Sequence, residues 1–359
     1  MTPARAVCIH GHFYQPPRAN PHTGRIETEP SAAPHANWNL RITDECYRPN
    51  THAAGPGGVA QNNYAWMSFN VGPTLLDWME RHARDVYDAI LAADRESRQR
   101  WGFGNAIAQS MHHTILPLCN PRDRETEIRW GIDDFEFRFG RHPEGLWLPE
   151  AAVDVATLEA VAAAGIAYVI VSPRQVRAVR DAVGCAWRAV DEGSLDTTRA
   201  YRVALPSGGT IALFVYDGAV SQAVAFNGVL NDGAALGRDL AARAADGPPG
   251  PCLLNIATDG ESYGHHHRFG DIALAYALAA VRGHGEVALT NYAAWLAANP
   301  PRAEAQLVEP SSWSCAHGVE RWRSDCGCAL APGPPGAQAW RTPLRTALDW
   351  LRDQLAGFY

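Results

Sequence analysis

The stretch from Leu253 to His267, LLNIATDGESYGHHH, constrains the fold of this chain most. Its first five residues are almost entirely apolar and carry no turn signal, which is typical of a strand buried on both faces. Polar side chains follow abruptly where that strand is predicted to end. Because loops after parallel strands carry the functional site in α/β proteins, we expect Asp259, Glu261 and the histidines from His265 onward at such a site. The segment is equally consistent with Asp259 capping the next turn and the histidines being solvated.

Apolar runs and helical patterns alternate along the rest of the chain in roughly seven strand–helix units. Residues 17–66 show no sustained period and are expected to cross the mouth of a barrel. The runs 201–205 and 210–216 flank PSGG and predict a hairpin. Helices are predicted near 73–100, 121–139, 154–164, 218–245, 269–282, 291–298 and 343–355. A single α/β barrel with a short appendage accounts for this length.

Two further predicted strands end in residues suited to chemistry. The strand at 6–9 leads into HGHFYQPP, and alternation places His10 and His12 on one face. Such a pair is consistent with a metal site, with a hydrogen-bonding wall for a polar ligand, or with core histidines. The run GLWLPE ends at Glu150, a second acidic strand end. His112 and His113 are additional candidates for the site.

Composition narrows the class of partner. The net charge of −7 and the pI near 6.0 argue against a nucleic-acid partner, since phosphate binding needs a basic face. The N-terminal residues are too weakly apolar for a secretory signal or a membrane span, so we expect a cytoplasmic protein without membrane contact. No cofactor is predicted.

The tail from residue 300 differs in character and carries SWSCAHGVERWRSDCGC. Its four soft ligands could form a zinc set, although the CxH and CxC spacings match no standard structural zinc pattern. Packed, reduced thiols are the alternative, and our prediction assigns no metal. The four residues are Cys315, His317, Cys326 and Cys328.

Taken together and in this order, HGHFYQPP, GLWLPE, TDGESYG and LTNYAAWL resemble glycoside hydrolase family 57, whose members act on α-glucans with retention. The resemblance covers roughly residues 6–325. It implies a distorted (β/α)7-type barrel with a short C-terminal helical extension. We accordingly predict a catalytic barrel domain at 1–300 and a C-terminal loop and helical extension, packed on it, at 301–359.

The resemblance also implies roles for individual residues. Glu150 corresponds to the nucleophile and Asp259 to the general acid/base. Retaining hydrolysis needs two such carboxyl groups about 5 Å apart, and strand ends that converge on one barrel mouth can supply them. The substrate, an oligo- or polysaccharide, is expected to contact the following side chains: His10, His12, Gln15, Trp147, His112, Glu261, His265 and Trp313.

Two departures from the family pattern affect what the resemblance implies. Phe13 and Tyr14 stand between His12 and Gln15, which alters the first motif. Members also carry a substantial helical region after the barrel, whereas only one or two helices can follow here. Substrate length and the choice between hydrolysis, transfer and branching therefore stay open, as does the oligomeric state.

Two other functions remain compatible with the sequence. A metal-dependent polysaccharide deacetylase or mannosidase-like hydrolase would use His10, His12, Asp259 and the histidines 265–267 to hold a divalent ion. That mechanism gives Glu150 no obvious role. A catalytically inactive glycan-binding barrel would keep an aromatic cleft and need neither carboxylate.

Overall fold

The computed structural model of the protein describes residues 4–329, 333–334 and 336–358. The strands in these ranges are β1 (Arg5–Phe13), β2 (Ala53–Ala54), β3 (Ala60–Gln61), β4 (Ser68–Val71), β5 (Ala108–Gln109), β6 (Leu146–Trp147), β7 (Tyr168–Val171), β8 (Val176–Arg180), β9 (Arg188–Ala189), β10 (Tyr201–Ala204), β11 (Thr210–Val215), β12 (Cys252–Asp259), β13 (Ala288–Leu289) and β14 (Glu304–Leu307). The α-helices are α1 (Trp38–Ile42), α2 (Arg48–Thr51), α3 (Pro73–His82), α4 (Arg84–Trp101), α5 (Pro121–Phe139), α6 (Val155–Ala163), α7 (Gly218–Phe226), α8 (Gly233–Ala245), α9 (Gly270–Arg282), α10 (Tyr292–Ala298) and α11 (Arg341–Leu355).

Seven parallel strands are linked in chain order into a ring. The central strand β1 pairs with β12 on one side and with β4 and β13 on the other. Parallel pairings then lead from β4 to β5, from β5 to β6, from β6 to β7 and from β7 to β11. A 2.7 Å hydrogen bond from the Asp217 nitrogen to the Asn255 oxygen returns the end of β11 to β12. This arrangement confirms the predicted α/β fold of the (β/α)7 type.

The ring brings distant parts of the sequence to one rim. Because the strands are parallel, the residues that follow their C-terminal ends lie on the same side. Glu150 follows β6, and Asp259 is the last residue of β12. The two acidic strand ends predicted from the sequence therefore belong to one rim of one sheet.

Local signals explain where the outer helices begin and end. The Asn120 side chain accepts a hydrogen bond from the Asp123 nitrogen at the start of α5, and Gly140 ends that helix with φ +65°. Asp154 caps α6 in the same way, through the Thr157 nitrogen. The boundaries predicted for these two helices are confirmed to within a residue.

Two predictions for the outer layer were wrong in detail. The predicted helix over residues 73–100 is two helices, α3 and α4, because Ala83 leaves the helical region with φ −145° and ψ 55°. The tail does not begin as a loop alone, since β14 pairs with both β8 and β10. The predicted hairpin of β10 and β11 is confirmed. Of the helices in the described ranges, none combines the length with the apolar character needed to cross a bilayer.

The close approach of α8 to α9 depends on a residue without a side chain. A Cβ atom at Gly233 would lie 2.0 Å from the Ala273 carbonyl oxygen. We expect Gly233→Ala to reduce the free energy of unfolding by about 1–3 kcal/mol, the usual cost of overpacking. Gly285→Ala is the matched control, because a Cβ atom there would meet nothing within 4 Å. Equal urea midpoints for the two variants would contradict this account of the packing.

Candidate active site

Glu150 lies in a strained turn at the end of β6. Its backbone has φ +57° and ψ +21°, and the next residue, Ala151, has φ +46°. Left-handed conformations cost non-glycine residues roughly 1–2 kcal/mol each, so the surrounding structure must hold the turn in place. The buried Gln175 amide donates a 2.7 Å hydrogen bond to the Ala151 oxygen and contributes to that support. Strain of this kind is concentrated at functional sites.

A loop from the tail supplies the hydrogen-bond partners of the Glu150 side chain. The Trp313 indole Nε1 donates to Glu150 Oε2 at 3.1 Å, and the Ser314 hydroxyl donates to the same oxygen. The Trp313 backbone nitrogen also donates to the Glu150 carbonyl oxygen at 3.0 Å. These contacts fix the position of the carboxyl group, with Oε2 held by two side-chain donors.

Asp259 has the protonation behaviour of a general acid. The residue is exposed to solvent at its strand end, yet protein surrounds the carboxyl on most sides. This desolvation, together with the nearby Glu261 and Glu150 carboxyls, raises the pKa of Asp259 to about 7. All three causes act in the same direction. Asp259 and Glu150 are thus close enough to influence each other electrostatically.

Glu261 is held beneath the cleft by two donors. The Tyr47 hydroxyl donates to Glu261 Oε1 at 2.5 Å, and Gln15 Nε2 donates to the same atom at 2.7 Å. Burial raises the pKa of Glu261, and these two hydrogen bonds oppose that rise. Arg18 Nη2 in turn donates to Gln15 Oε1 at 2.6 Å. Gln15 therefore positions Glu261, despite the two residues that separate it from His12.

His10, His12 and Trp147 form a stacked group behind the cleft. The imidazole rings lie 5.1 and 5.0 Å from the indole ring, with interplanar angles of 19° and 18°. His10 and Trp147 are fully buried, and His12 is 6% exposed. All three were predicted from the sequence to contact a sugar. Because His10 and Trp147 present no surface to the cleft, their expected contact does not fit this structure, and they support the site from behind.

Hydrogen bonds set the protonation of the two histidines. His10 Nε2 donates to Asn70 Oδ1 at 3.1 Å, while Asn70 Nδ2 donates to His12 Nδ1 at 2.8 Å. His12 Nε2 is then the protonated nitrogen and donates to His113 Nε2 at 3.0 Å. Burial lowers the pKa of His10 to about 3 and the pKa of His12 well below its ordinary value. Both rings are therefore neutral at physiological pH.

The neighbouring candidates His112 and His113 have different environments. His113, with φ +57°, stacks on Tyr14 at 4.0 Å and borders the Glu150 carboxyl. Burial lowers its pKa to about 4, and the Glu150 charge opposes that change. His112 is exposed and its Nδ1 lies 2.8 Å from Glu127 Oε1. A cavity of about 550 Å³ lies beyond both histidines, between them and α11.

His265 lies farther along the rim. Its Nδ1 is 2.5 Å from Glu45 Oε2, and its ring packs edge-on against Trp38 at 5.7 Å. Glu45 also accepts a 2.9 Å hydrogen bond from Arg41. His265 thus contacts the segment 17–66, which was predicted to cross the barrel mouth.

Within the part of the chain that the structure describes, the rim histidines do not converge into the metal site that the deacetylase alternative requires. His10, His12 and His265 use ring nitrogens in the hydrogen bonds described above. Among the described residues, the ligand atoms of three or more His, Cys, Asp or Glu side chains converge in the tail, at Cys315, His317, Cys326 and Cys328. The arrangement at the rim favours carboxylate chemistry instead.

Three contacts of the site were not predicted from the sequence. Tyr47 and Asn70 touch Glu261 and His12, and Ser314 touches Glu150. Each is separated from its partner by at least 58 positions, so local patterns could not reveal the pairing. The only sequence signal for any of these contacts was that Ser314 directly follows Trp313, a predicted substrate-binding residue.

Comparison with known proteins identifies the family of the chain. A family model described as glycosyl hydrolase family 57 matches residues 26–307, which confirms the resemblance and the type of enzyme inferred from the motifs. A second model, a domain of unknown function (DUF3536), matches residues 337–359. No curated protein matches the sequence at a significant level.

Solved structures share the fold at low sequence identity. The 4-α-glucanotransferase of Thermococcus litoralis is 18% identical with a TM-score of 0.63, and the match covers 86% of this chain and 42% of that one. The branching enzyme of Pyrococcus horikoshii is 16% identical with a TM-score of 0.62, and the match covers 88% of this chain and 74% of that one. A maltose-forming amylase of Pyrococcus sp. ST04 is 17% identical with a TM-score of 0.64, and the match covers 89% of this chain and 56% of that one. The chain thus spans about two fifths of the glucanotransferase and just over half of the amylase.

Proposed function

Because this chain belongs to glycosyl hydrolase family 57, we propose that it cleaves or transfers α-glucan chains with retention, using Glu150 as nucleophile and Asp259 as acid/base. The single observation that carries the proposal is the contrast between the two carboxyls. Asp259 has a pKa raised to about 7 and can hold a proton near neutral pH, whereas Glu150 is held in place by two hydrogen bonds to Oε2. Retaining chemistry requires this division of roles between two acidic groups.

In the first step, the Glu150 carboxylate attacks the anomeric carbon and the glycosidic bond breaks. Asp259 delivers its proton to the leaving oxygen, so the departing sugar leaves as a neutral alcohol. The sugar is then covalently bound to Glu150 as an ester. In the second step, ionised Asp259 removes a proton from water or from an acceptor hydroxyl, which attacks the same carbon and releases Glu150.

The surrounding residues have defined tasks in this mechanism. Trp313 and Ser314 hold Oε2 of Glu150, which leaves Oε1 available for attack. Glu261 keeps the pKa of Asp259 high, and Gln15 with Tyr47 fixes Glu261. The buried stack of His10, His12 and Trp147 is a rigid support for the two strand ends. The reaction requires no cofactor.

The experiment that tests the function is incubation with a single purified maltooligosaccharide, with the products separated by size. Shorter products alone indicate hydrolysis, longer linear products indicate 4-α-transfer, and branched products indicate branching. All three outcomes support the proposal, and α-configured products at early times establish retention. The control is cellooligosaccharide of the same length, whose β-linkages should remain intact.

Unchanged maltooligosaccharide, amylose and glycogen after long incubation would contradict the proposal. The same samples are then assayed for binding by calorimetry, because a glycan-binding barrel would retain affinity without turnover. Release of acetate from an acetylated polysaccharide would favour the deacetylase alternative.

A further inference from the structure

The tail contains a second cluster of reactive side chains that catalysis does not use. Cys315 and His317 lie at the beginning of a loop, and Cys326 and Cys328 lie near its end. The ligand atoms of all four residues fall within 4.8 Å of one another. Cys315 is 3% exposed, Cys326 and Cys328 are half-buried, and His317 is exposed. The cluster therefore lies at the protein surface, anchored by one buried thiol and open to exchange with solution.

Two distances inside the cluster match those of a tetrahedral metal site, and the other ligand atoms lie within 4.8 Å of one another. With Zn–S bonds of about 2.3 Å and Zn–N bonds of about 2.05 Å, two sulfurs should be about 3.8 Å apart and a sulfur and a nitrogen about 3.6 Å apart. The observed distances are 3.9 Å from Cys315 Sγ to Cys326 Sγ and 3.5 Å from Cys328 Sγ to His317 Nδ1. We propose that Cys315, His317, Cys326 and Cys328 bind one structural zinc ion.

The donor set identifies the class of metal. Three thiolates and one imidazole prefer a soft or borderline ion and disfavour calcium or magnesium, which need oxygen ligands. Four protein ligands close the coordination sphere, which distinguishes a structural zinc from a catalytic one. A disulfide between Cys315 and Cys326 would require their sulfurs to move from 3.9 Å to about 2.05 Å.

The zinc ion would fix the loop that reaches the candidate nucleophile. Trp313 and Ser314 immediately precede Cys315 and are the side-chain donors to Glu150. Between Cys315 and Cys328, regular structure is limited to one short turn at Glu320–Trp322, and Val319 is a buried apolar residue there. With so little core of its own, such a loop gains its order from metal ligation. The site is thus a positioning device and does not touch the substrate.

The test is the metal content of the full chain, purified without chelator or affinity metal and analysed by plasma mass spectrometry. We expect about one zinc ion per chain. Cys328→Ser and His317→Ala should each lower zinc affinity by more than the ~10–100-fold lost when only a partner of a ligand is removed. Cys185→Ser is the matched control, because that exposed cysteine lies outside the cluster and should leave the zinc content unchanged.

Replacement of zinc by cobalt(II) gives an independent readout. A cobalt-loaded wild-type chain should show thiolate-to-metal charge-transfer bands and the ligand-field bands of a tetrahedral site, and both variants should lose them. Circular dichroism of each variant verifies that the barrel has folded. The proposal is overturned if wild-type chain carries no stoichiometric zinc and takes up none after reduction, or if the two variants retain full zinc. Metal content is measured without substrate, so this outcome is independent of the α-glucan activity.

Discussion

Glu150→Gln is expected to lower kcat on maltooligosaccharides by ~10⁶-fold, the scale seen when the nucleophile is removed from an acyl-transfer enzyme. The amide is nearly isosteric with the carboxylate and can still accept from Trp313 and Ser314, so the strained turn should persist. It cannot, however, form the glycosyl ester. Binding should therefore remain within a few-fold of wild type while turnover is lost. Steady-state kinetics and isothermal titration with the same oligosaccharide measure the two quantities.

Glu125→Gln is the matched control for this variant. It makes the same chemical change on α5, where Glu125 is exposed and pairs only with Arg129 at 3.3 Å. Its kcat should equal that of wild type. A Glu150→Gln variant that turns over within tenfold of wild type would show that another group attacks the anomeric carbon.

Azide rescue can separate the roles of the two carboxyls. In Glu150→Ala, azide can enter the space left by the side chain and displace the leaving group directly, which gives a β-glycosyl azide from an α-linked substrate. In Asp259→Ala, Glu150 still forms the intermediate, so azide should attack that ester and give an α-glycosyl azide. The opposite pairing of products and variants would reverse the proposed assignment.

The sequence predicted the placement of the acidic groups but not their environment. Glu150 and Asp259 each stand where an apolar run ends. Because the strands of the ring are parallel, these strand ends must lie on one rim. Tyr47 lies in the helical turn Thr43–Tyr47, where the sequence shows no sustained period, and Ser314 lies on a loop. The contacts of both residues depend on how these segments pack on the barrel. Tertiary packing of this kind leaves no local trace in a single sequence.

Trp147 shows where motif reasoning misjudged a side chain. An aromatic residue three positions before a candidate nucleophile suggests a platform for a sugar ring. The side chain is instead fully buried and stacked on His10 and His12, because it alternates inward along β6. Strand alternation fixes the face of the sheet but not whether that face is open to a ligand. Ala83 is a similar case, since its non-helical backbone breaks an otherwise continuous helical pattern.

Asp259→Asn is expected to lower kcat/KM on maltooligosaccharides by about 10²–10⁴-fold, the usual contribution of general acid–base catalysis. The loss should be much smaller on an α-glycoside with an activated aryl leaving group, because that group departs without a proton. The second step still lacks its base, so the aryl substrate should show a burst followed by slow turnover. Equal losses on both substrates would contradict the role of Asp259 as the acid.

The pH profile provides the sharper test of the same residue. Asp259 must be protonated to act, and its pKa is raised to about 7, so kcat/KM of the wild type should fall as the pH rises through about 7. This alkaline limb should be absent from Asp259→Asn. Glu261→Gln removes one of the charges that raise the pKa of Asp259, so the limb should move to lower pH in that variant. A limb that stays in place would mean that a group other than Asp259 donates the proton.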